Sequence, residues 1–247
     1  MKEFNYLHFE EIDSTSSYLK RNYQDLDDLT LVSASLQTSG HGRMNRKWMN
    51  NKNENLMFSL LIKDKELVNK YANFSLASAV CVFNTLLELN IKNVSIKWPN
   101  DVYVNDKKIS GMLLESVSYN EGIEALIIGI GINVNSNFKD TDLASKATSI
   151  YEVTNKIYSI VEIAKIVYKY IYKMLKDIKN NNYSYLDIVR KNNYLKNKEV
   201  YCLINNEEQL VRVLDINDDN SLKVLFNNKE INVSSSEITF TSTMFNK

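Results

Sequence analysis

Two glycines set among fixed cations are the first place where this chain shows the means for chemistry. Gly40-His41-Gly42-Arg43-Met44-Asn45-Arg46-Lys47-Trp48 holds two glycines, three fixed cations and an indole in nine residues. Glycine lets backbone N–H groups wrap an anion, and arginine forks onto phosphate oxygens. No Gly-Lys-Ser/Thr follows, so this is not a P-loop. A Gly-X-Gly by itself is an ordinary surface turn. With Arg43, Arg46, Lys47 and Trp48 able to cover a base, binding of a phosphate-bearing ligand is the better reading. Asn45 tolerates left-handed backbone and is the expected third flexible point of the loop.

Two further stretches have the same character. Lys97-Trp98-Pro99-Asn100-Asp101 is a tight turn, with Trp98 held extended before proline and Asn100-Asp101 closing it. It runs on to Lys107-Lys108-Ile109-Ser110-Gly111, where Lys108 is either a ligand-facing cation or a solvated residue that deters edge pairing. Gly129-Ile130-Gly131-Ile132-Asn133 places two glycines in an otherwise apolar strand. That pattern reads equally as a bulge or as close approach by a ligand, and Asn133 offers both a donor and an acceptor. All six glycines except Gly122 fall in these three stretches. Each should mark backbone that needs φ > 0 or room for something lying against it.

Composition narrows the chemistry. Lys+Arg and Asp+Glu are 30 each, so no overall field draws in nucleic acid or a membrane, and any basic site must be local. The only histidines are His8 and His41, and the only cysteines, Cys81 and Cys202, lie far apart in apolar runs. A zinc centre, a Ser-His-Asp triad and a disulfide framework therefore lack material, and both thiols are expected reduced and buried. Nothing resembles a signal peptide or a membrane span, so a cytoplasmic protein without membrane partners is expected.

The elements that must position these residues can be read from periodicity. Residues 11–20 read as a strand end entering a helix, with Asp13, Ser14 and Thr15 as cap candidates. Residues 29–35, 56–62, 94–98, 111–117 and 124–134 read as strands, with a hairpin at Asn105-Asp106. Residues 71–89 are apolar nearly all round, as in a helix buried on more than one face. Ser159 and Glu162 form a capping box before a helix with Ile160, Ile163, Ala164, Val167, Ile171, Met174, Leu175 and Ile178 in register. A second short helix ends near Asn193. Five short strands follow, at 199–204, 209–216, 221–226, 229–233 and 237–241, the pattern of a small all-β barrel or sandwich. The boundary is placed near 195, giving domains 1–195 and 196–247.

Taken together, the Asp13-Ser14-Thr15 segment, Gln37, the loop 40–48, Lys97–Val102, Lys107–Glu115 and Gly129–Val134 resemble the biotin protein ligases. The resemblance implies an α+β fold, a mixed but largely antiparallel sheet with helices packed on it, as in class II synthetases and biotin/lipoate ligases, plus a small C-terminal β-barrel. It implies ATP, Mg²⁺ and biotin as ligands, and a biotin carboxyl carrier protein, such as an acetyl-CoA carboxylase subunit, as acceptor. Ser14, Thr15, Ser16 and Gln37 would bind the ureido ring. Gly40, His41, Gly42 and Arg43 would line the biotin carboxylate and α-phosphate, with Lys108 bridging them and Gly111 beside it. Arg46, Trp48, Asn100 and Asn133 would hold the adenylate, and Asp101 would stand at the reacting centre. Position 16 is Ser where the family commonly has Asn, position 41 is His where it has Arg, and Met44-Asn45 replaces an Arg-Gly pair. The resemblance also implies a short form without the helix-turn-helix module, hence no DNA partner, as a monomer or homodimer.

Other readings remain at this point. A lipoate or octanoate ligase would use the same chemistry with an apolar pocket, for which Ser14, Thr15 and Gln37 are superfluous. A nucleic-acid module could set the loop cations on phosphates, at odds with zero net charge. A non-catalytic biotin or nucleotide sensor would have no need of Arg43 and Lys108.

Overall fold

The computed structural model describes residues 4–119, 122–204 and 207–234, with only the backbone of Asn45, Tyr119, Cys202 and Leu203. Seven strands form the main sheet: β1 (Asn5–Phe9), β2 (Thr30–Ala34), β3 (Asn55–Ile62), β4 (Val94–Lys97), β5 (Asp101–Val104), β6 (Lys107–Tyr119) and β7 (Gly122–Asn133). Their spatial order is β1-β2-β3-β7-β6-β5-β4. Only β1 and β2 pair in parallel, so the largely antiparallel α+β expectation holds. Helices α1 (Thr15–Asn22), α2 (Lys65–Val68), α3 (Phe74–Glu88), α4 (Ile150–Thr154), α5 (Ile160–Lys179) and α6 (Tyr185–Lys191) are interspersed. A second sheet, β8 (Glu199–Ile204), β9 (Glu207–Ile216), β10 (Leu222–Phe226) and β11 (Lys229–Val233), is antiparallel in the order β11-β10-β9-β8. These are four of the five C-terminal strands expected; the segment 237–241 lies outside the described residues.

Side chains alternate across a strand, and that alternation separates two layers. On one face Phe58, Leu60 and Ile62 of β3, with Leu126, Ile128, Ile130 and Ile132 of β7, pack under α3 and α5. Helix α5 buries Ile163, Ala164, Val167, Ile171, Met174, Leu175 and Ile178 of the expected stripe there, with Ile160 only partly buried, each large buried aliphatic worth about 1.5–3 kcal/mol. Its N-cap Ser159 accepts from Glu162 N at 3.4 Å. On the other face Leu61, Ala125 and Ile127 receive Leu19 of α1, together with Val32. Further along the strands this second face changes: Ser59, Gly129 and Gly131 stand where apolar side chains would continue the pattern. The first turn of α1 reaches over Ser59 and Gly129 there, and beyond it a cavity opens toward Gly131.

Asparagine and glycine divide the backbone work in an unexpected way. No glycine has positive φ, whereas Asn53, Asn90, Asn93, Asn105, Asn155, Asn181, Asn197, Asn220, Asn227 and Asn228 all do. Gly40, Gly111, Gly129 and Gly131 serve the second purpose, close approach, whereas Gly42 and Gly122 have room for a Cβ. Strand β1 and the short helices α2 and α4 escape the periodicity reading, since an exposed edge strand and one-turn helices have little of it. Among the described residues, no helix is long and apolar enough to cross a membrane.

Candidate active site

The cavity has a volume of about 580 Å³ and lies on the small-residue stretch of the sheet. Gly129 and Gly131 point to the same face of β7, two residues and about 7 Å apart, and form its floor. A Cβ on Gly129 would stand 2.9 Å from Ser16 Oγ; one on Gly131 would stand 2.5 Å from the Trp48 ring. The two glycines thus mark two ends of one groove, a hydroxyl end and an indole end.

At the hydroxyl end, Ser14 caps α1 by accepting from Ser17 N at 3.3 Å, which sets the first turn of the helix against the sheet. Thr15 donates from N and Oγ1 to Gln37 Oε1, at 2.7 and 3.0 Å. Thr15 Oγ1 and Ser16 Oγ lie 2.8 and 3.0 Å from Ser59 Oγ. Four polar side chains therefore meet in a buried cluster whose remaining protons and lone pairs can face a small polar ring. Gln37 reaches only the Met57 sulfur with its amide N, at 3.5 Å. Ser59 is the member that sequence reading missed. It sits inside the apolar run Leu56–Ile62, and its only signal is that it shares a face with Gly129 across β3 and β7.

At the other end the charge is concentrated. The described lining residues include six cations, Arg43, Arg46, Lys47, Lys97, Lys108 and Lys146, against one carboxylate, Asp101. Lys108 owes its position to a bulge. The β5–β6 register pairs Asp101 with Gly111 and Val102 with Ser110, then shifts so that Tyr103 faces Lys108. The extra residue turns Lys108 to the face of Gly111, where regular alternation would point it away. Its Nζ lies 2.7 Å from Asp101 Oδ1, an ion pair without hydrogen-bond alignment, and 5.8 Å from the centre of the Trp48 ring. Lys108 is thus no edge residue, because β6 runs inside the sheet between β5 and β7.

Lys97, the second residue missed, is 7% exposed and lies 3.2 Å from the Tyr103 hydroxyl. Burial pushes its ammonium down to about 8; Asp101 opposes the shift, and Lys108, Lys198 and Arg46 add to it. Burial also lowers Arg43, again opposed by Asp101, without discharging a guanidinium at neutral pH.

The glycine loop is a small hairpin. Trp48 N donates to Gly40 O at 2.9 Å and Gly42 N to Arg46 O at 2.8 Å. The left-handed residue at its tip is Met44, φ 56 and ψ 34, and not Asn45. The reason is the short 3-10 turn over Arg43–Asn45, which places the reversal one position earlier. His41 reaches Glu115 Oε2 at 3.9 Å, and Lys20 reaches Glu115 Oε1 at 3.5 Å, so Glu115 links loop and α1. Asn100 fixes its turn by donating to Met112 O at 2.6 Å.

The sheet thereby brings together Ser14, Thr15, Ser16, Gln37, His41, Gly42, Arg43, Arg46, Trp48, Asn100, Asp101, Lys108 and Gly111. Gly40 and Asn133 stand outside the lining. Gly40 closes the base of the hairpin, and buried Asn133 donates to Thr148 O at 3.0 Å. Among the described residues no cluster of His, Cys, Asp and Glu could hold a metal ion. Cys81 is buried, and burial pushes its thiol far up, which makes it an inert core residue. A groove with polar donors at one end and cations at the other suits joining a carboxylate that carries a neutral polar group to a phosphate.

A family model described as the biotin/lipoate A/B protein ligase family matches residues 8–133, half of the chain. The bifunctional ligase/repressor BirA of Bacillus subtilis (strain 168) is 36% identical over 129 residues, 51% of this chain and 40% of that protein. The biotin–[acetyl-CoA-carboxylase] ligase of Paracoccus denitrificans is 32% identical over 124 residues, 49% of this chain and 51% of that one. The chain thus spans about half or less of these curated relatives. Among solved structures, the biotin protein ligase from Aquifex aeolicus in complex with biotin and ATP matches with a TM-score of 0.85. Identity to it is 30%, over 96% of this chain and 98% of that one.

Proposed function

The chain belongs to the biotin/lipoate A/B protein ligase family, and from that premise we propose that it is an ATP-dependent biotin protein ligase. It joins biotin and ATP into biotinyl-5′-AMP and pyrophosphate, then passes the biotinyl group to a lysine of a biotin carboxyl carrier protein. The observation that carries this reading is the two-ended groove, with hydroxyls over Gly129 and cations with an indole over Gly131 and Gly111.

Biotin's ureido ring is neutral, polar and rigid, and needs both donors and acceptors. Thr15, Ser16, Ser59 and Gln37 supply both, with Ser14 holding α1 in place. The acyl tail of lipoate or octanoate would leave unmet the donors and acceptors that the cluster does not use internally, at a cost of about 1–3 kcal/mol per buried group. In the first step a carboxylate attacks a phosphate, so two anions must approach. Arg43 and Lys108 offset that repulsion and stabilise charge on the phosphoryl oxygens. Trp48 covers the adenylate end, with Arg46 and Asn100 at its side. Asp101 fixes the Lys108 ammonium, and Asn133 acts at one remove by holding Thr148. The hairpin 40–48, with His41 and Gly42, stands over the reacting atoms and keeps water from the anhydride. In the second step the acceptor amine attacks the anhydride carbonyl and AMP leaves. Magnesium would arrive with ATP as part of the substrate, since the described residues offer no cluster to hold it.

Two outcomes follow at this site. Replacing Ser59 by valine removes the hydroxyl that Thr15 and Ser16 share while keeping the strand. Biotin affinity is expected to fall about 10- to 100-fold, with KM for ATP unchanged; calorimetric titration with biotin checks this, and unchanged affinity places the ureido ring elsewhere. Lys97 is charged below about pH 8 and neutral above it. KM for ATP should accordingly rise from pH 7.5 to 9 and stay flatter in Lys97→Arg; identical profiles for both proteins would remove Lys97 from the phosphate site.

The reading is tested by incubating the protein with ATP, biotin and a biotin carboxyl carrier domain, then probing the carrier with labelled streptavidin. Labelling that needs ATP and the carrier's acceptor lysine supports it. Adenylate formation without transfer to that lysine would rule out the ligase half of the proposal.

A further inference from the structure

The Trp98-Pro99 turn carries two of the cavity's charged residues, Lys97 and Asp101, yet its anchor comes from the second sheet. Trp98 is 2% exposed, and its Nε1 donates to Asn220 O at 2.9 Å. Asn220 lies in the turn between β9 and β10 at φ 68, a left-handed position that Asn tolerates and a β-branched residue does not. The turn is closed on itself: Asn217 N donates to Ser221 O and Asn220 N to Asn217 O, both at 3.0 Å.

The Asn220 side chain is held in turn by the first domain. The Tyr185 hydroxyl lies 2.6 Å from Asn220 Oδ1 and 2.7 Å from Asn73 Oδ1. Asn220 Nδ2 reaches Asn73 Oδ1 at 3.3 Å. Arg190 of α6 donates from Nε to Ile216 O at 2.8 Å, fixing the end of β9. Further restraints on the Trp98 turn come from α3, where Ser75 Oγ donates to Pro99 O at 2.8 Å, and from Asn100. The backbone of Ile96 is bracketed by Asn192 and Tyr194, each bond at 2.9 Å. The contact from Asn220 is the one made to the indole N–H itself.

We propose that Asn220 is a positioning residue of the adenylation step: its carbonyl holds the Trp98 indole and thereby sets where Lys97 and Asp101 face the phosphates. This rests on the reading of the cavity as an adenylating centre. It also gives the second sheet a part in the chemistry, although that sheet contributes no described residue to the lining. The hydroxyl end sits over Gly129, away from this turn, so ATP and biotin should respond differently.

The test compares Asn220→Val, which opposes the left-handed backbone, with Asn220→Gly, which keeps that backbone and its carbonyl. In biotin-dependent ATP–pyrophosphate exchange, Asn220→Val should lower kcat/KM for ATP about tenfold with KM for biotin unchanged, and Asn220→Gly should recover most of it. Lys97 is faced by Asp101, Lys108, Lys198, Arg46 and the Tyr103 hydroxyl. With its turn loosened, water reaches the ammonium, and the alkaline limb near pH 8 should move up in Asn220→Val. A purely structural loss would weaken ATP and biotin alike and leave the limb in place; either result overturns the proposal.

A second readout does not depend on activity. The chain has two tryptophans, so ¹⁵N-indole spectra give one resonance each. Tyr185→Phe should speed exchange of the Trp98 indole proton and leave Trp48 unaltered, and equal exchange in variant and parent rejects the clamp. Absence of any biotin-dependent exchange in the parent would sink the ligase reading, while the indole measurement would still decide the clamp.

Discussion

Lys108→Ala is expected to lower biotin-dependent ATP–pyrophosphate exchange about 10²- to 10³-fold, the size of effect seen on removing one preorganised oxyanion donor. The ammonium is aimed by the bulge in β6, lies 2.7 Å from Asp101 and stands beside the indole at 5.8 Å. A cation there acts on charge that grows as carboxylate and phosphate meet, so kcat should fall more than KM for either substrate. Part of any loss could come from leaving Asp101 unpaired in a half-buried site. The double variant Lys108→Ala/Asp101→Asn separates the two effects. If it regains most of the activity, the cation is structural; if it stays as slow as the single variant, Lys108 acts on the reacting groups.

The second large effect is a reciprocal pair on the floor of the cavity. Gly131→Ala puts a methyl 2.5 and 2.6 Å from two carbons of the Trp48 ring, so the indole must move. Overpacking of this kind costs about 1–3 kcal/mol, which is about 5- to 150-fold in affinity. The loss should fall on ATP, with biotin binding retained. Gly129→Ala puts a methyl 2.9 Å from Ser16 Oγ and should do the reverse, weakening biotin and sparing ATP. Titration of each variant with each ligand checks the pattern. A loss of biotin binding in Gly131→Ala with ATP spared would invert the assignment of the two ends.

Much of this site is legible in the sequence because the chain is frugal with glycine. Six glycines in 247 residues make each one informative, and three of them prove to be floor positions where a Cβ would meet a catalytic candidate or its neighbour. Their purpose is only half legible, since asparagine supplies the left-handed backbone and no glycine does. The strands with long apolar runs and the striped α5 could be read directly, because burial writes a period of 2 or 3.6 into the sequence. What escapes is set by pairing between distant strands. Ser59 looks like a flaw in an apolar run until β3 is laid against Gly129 of β7. Lys97 looks like a solvated strand residue until Tyr103 and Asp101 close over it. The side to which Lys108 points depends on a one-residue register shift, for which its own segment has no pattern.

The groove itself follows from the same economy. A chain of zero net charge concentrates, among the described lining residues, six cations against one carboxylate at one end of a cavity of about 580 Å³, and polar hydroxyls at the other. In the proposed function that separation selects biotin over an acyl chain as the activated acid, and substrate choice tests it most directly. ATP–pyrophosphate exchange should be measured with magnesium and biotin, lipoate or octanoate as the sole added acid. Exchange with biotin, and little with the other two, is the result expected here. Exchange led by lipoate or octanoate, or none with any of the three, would contradict it.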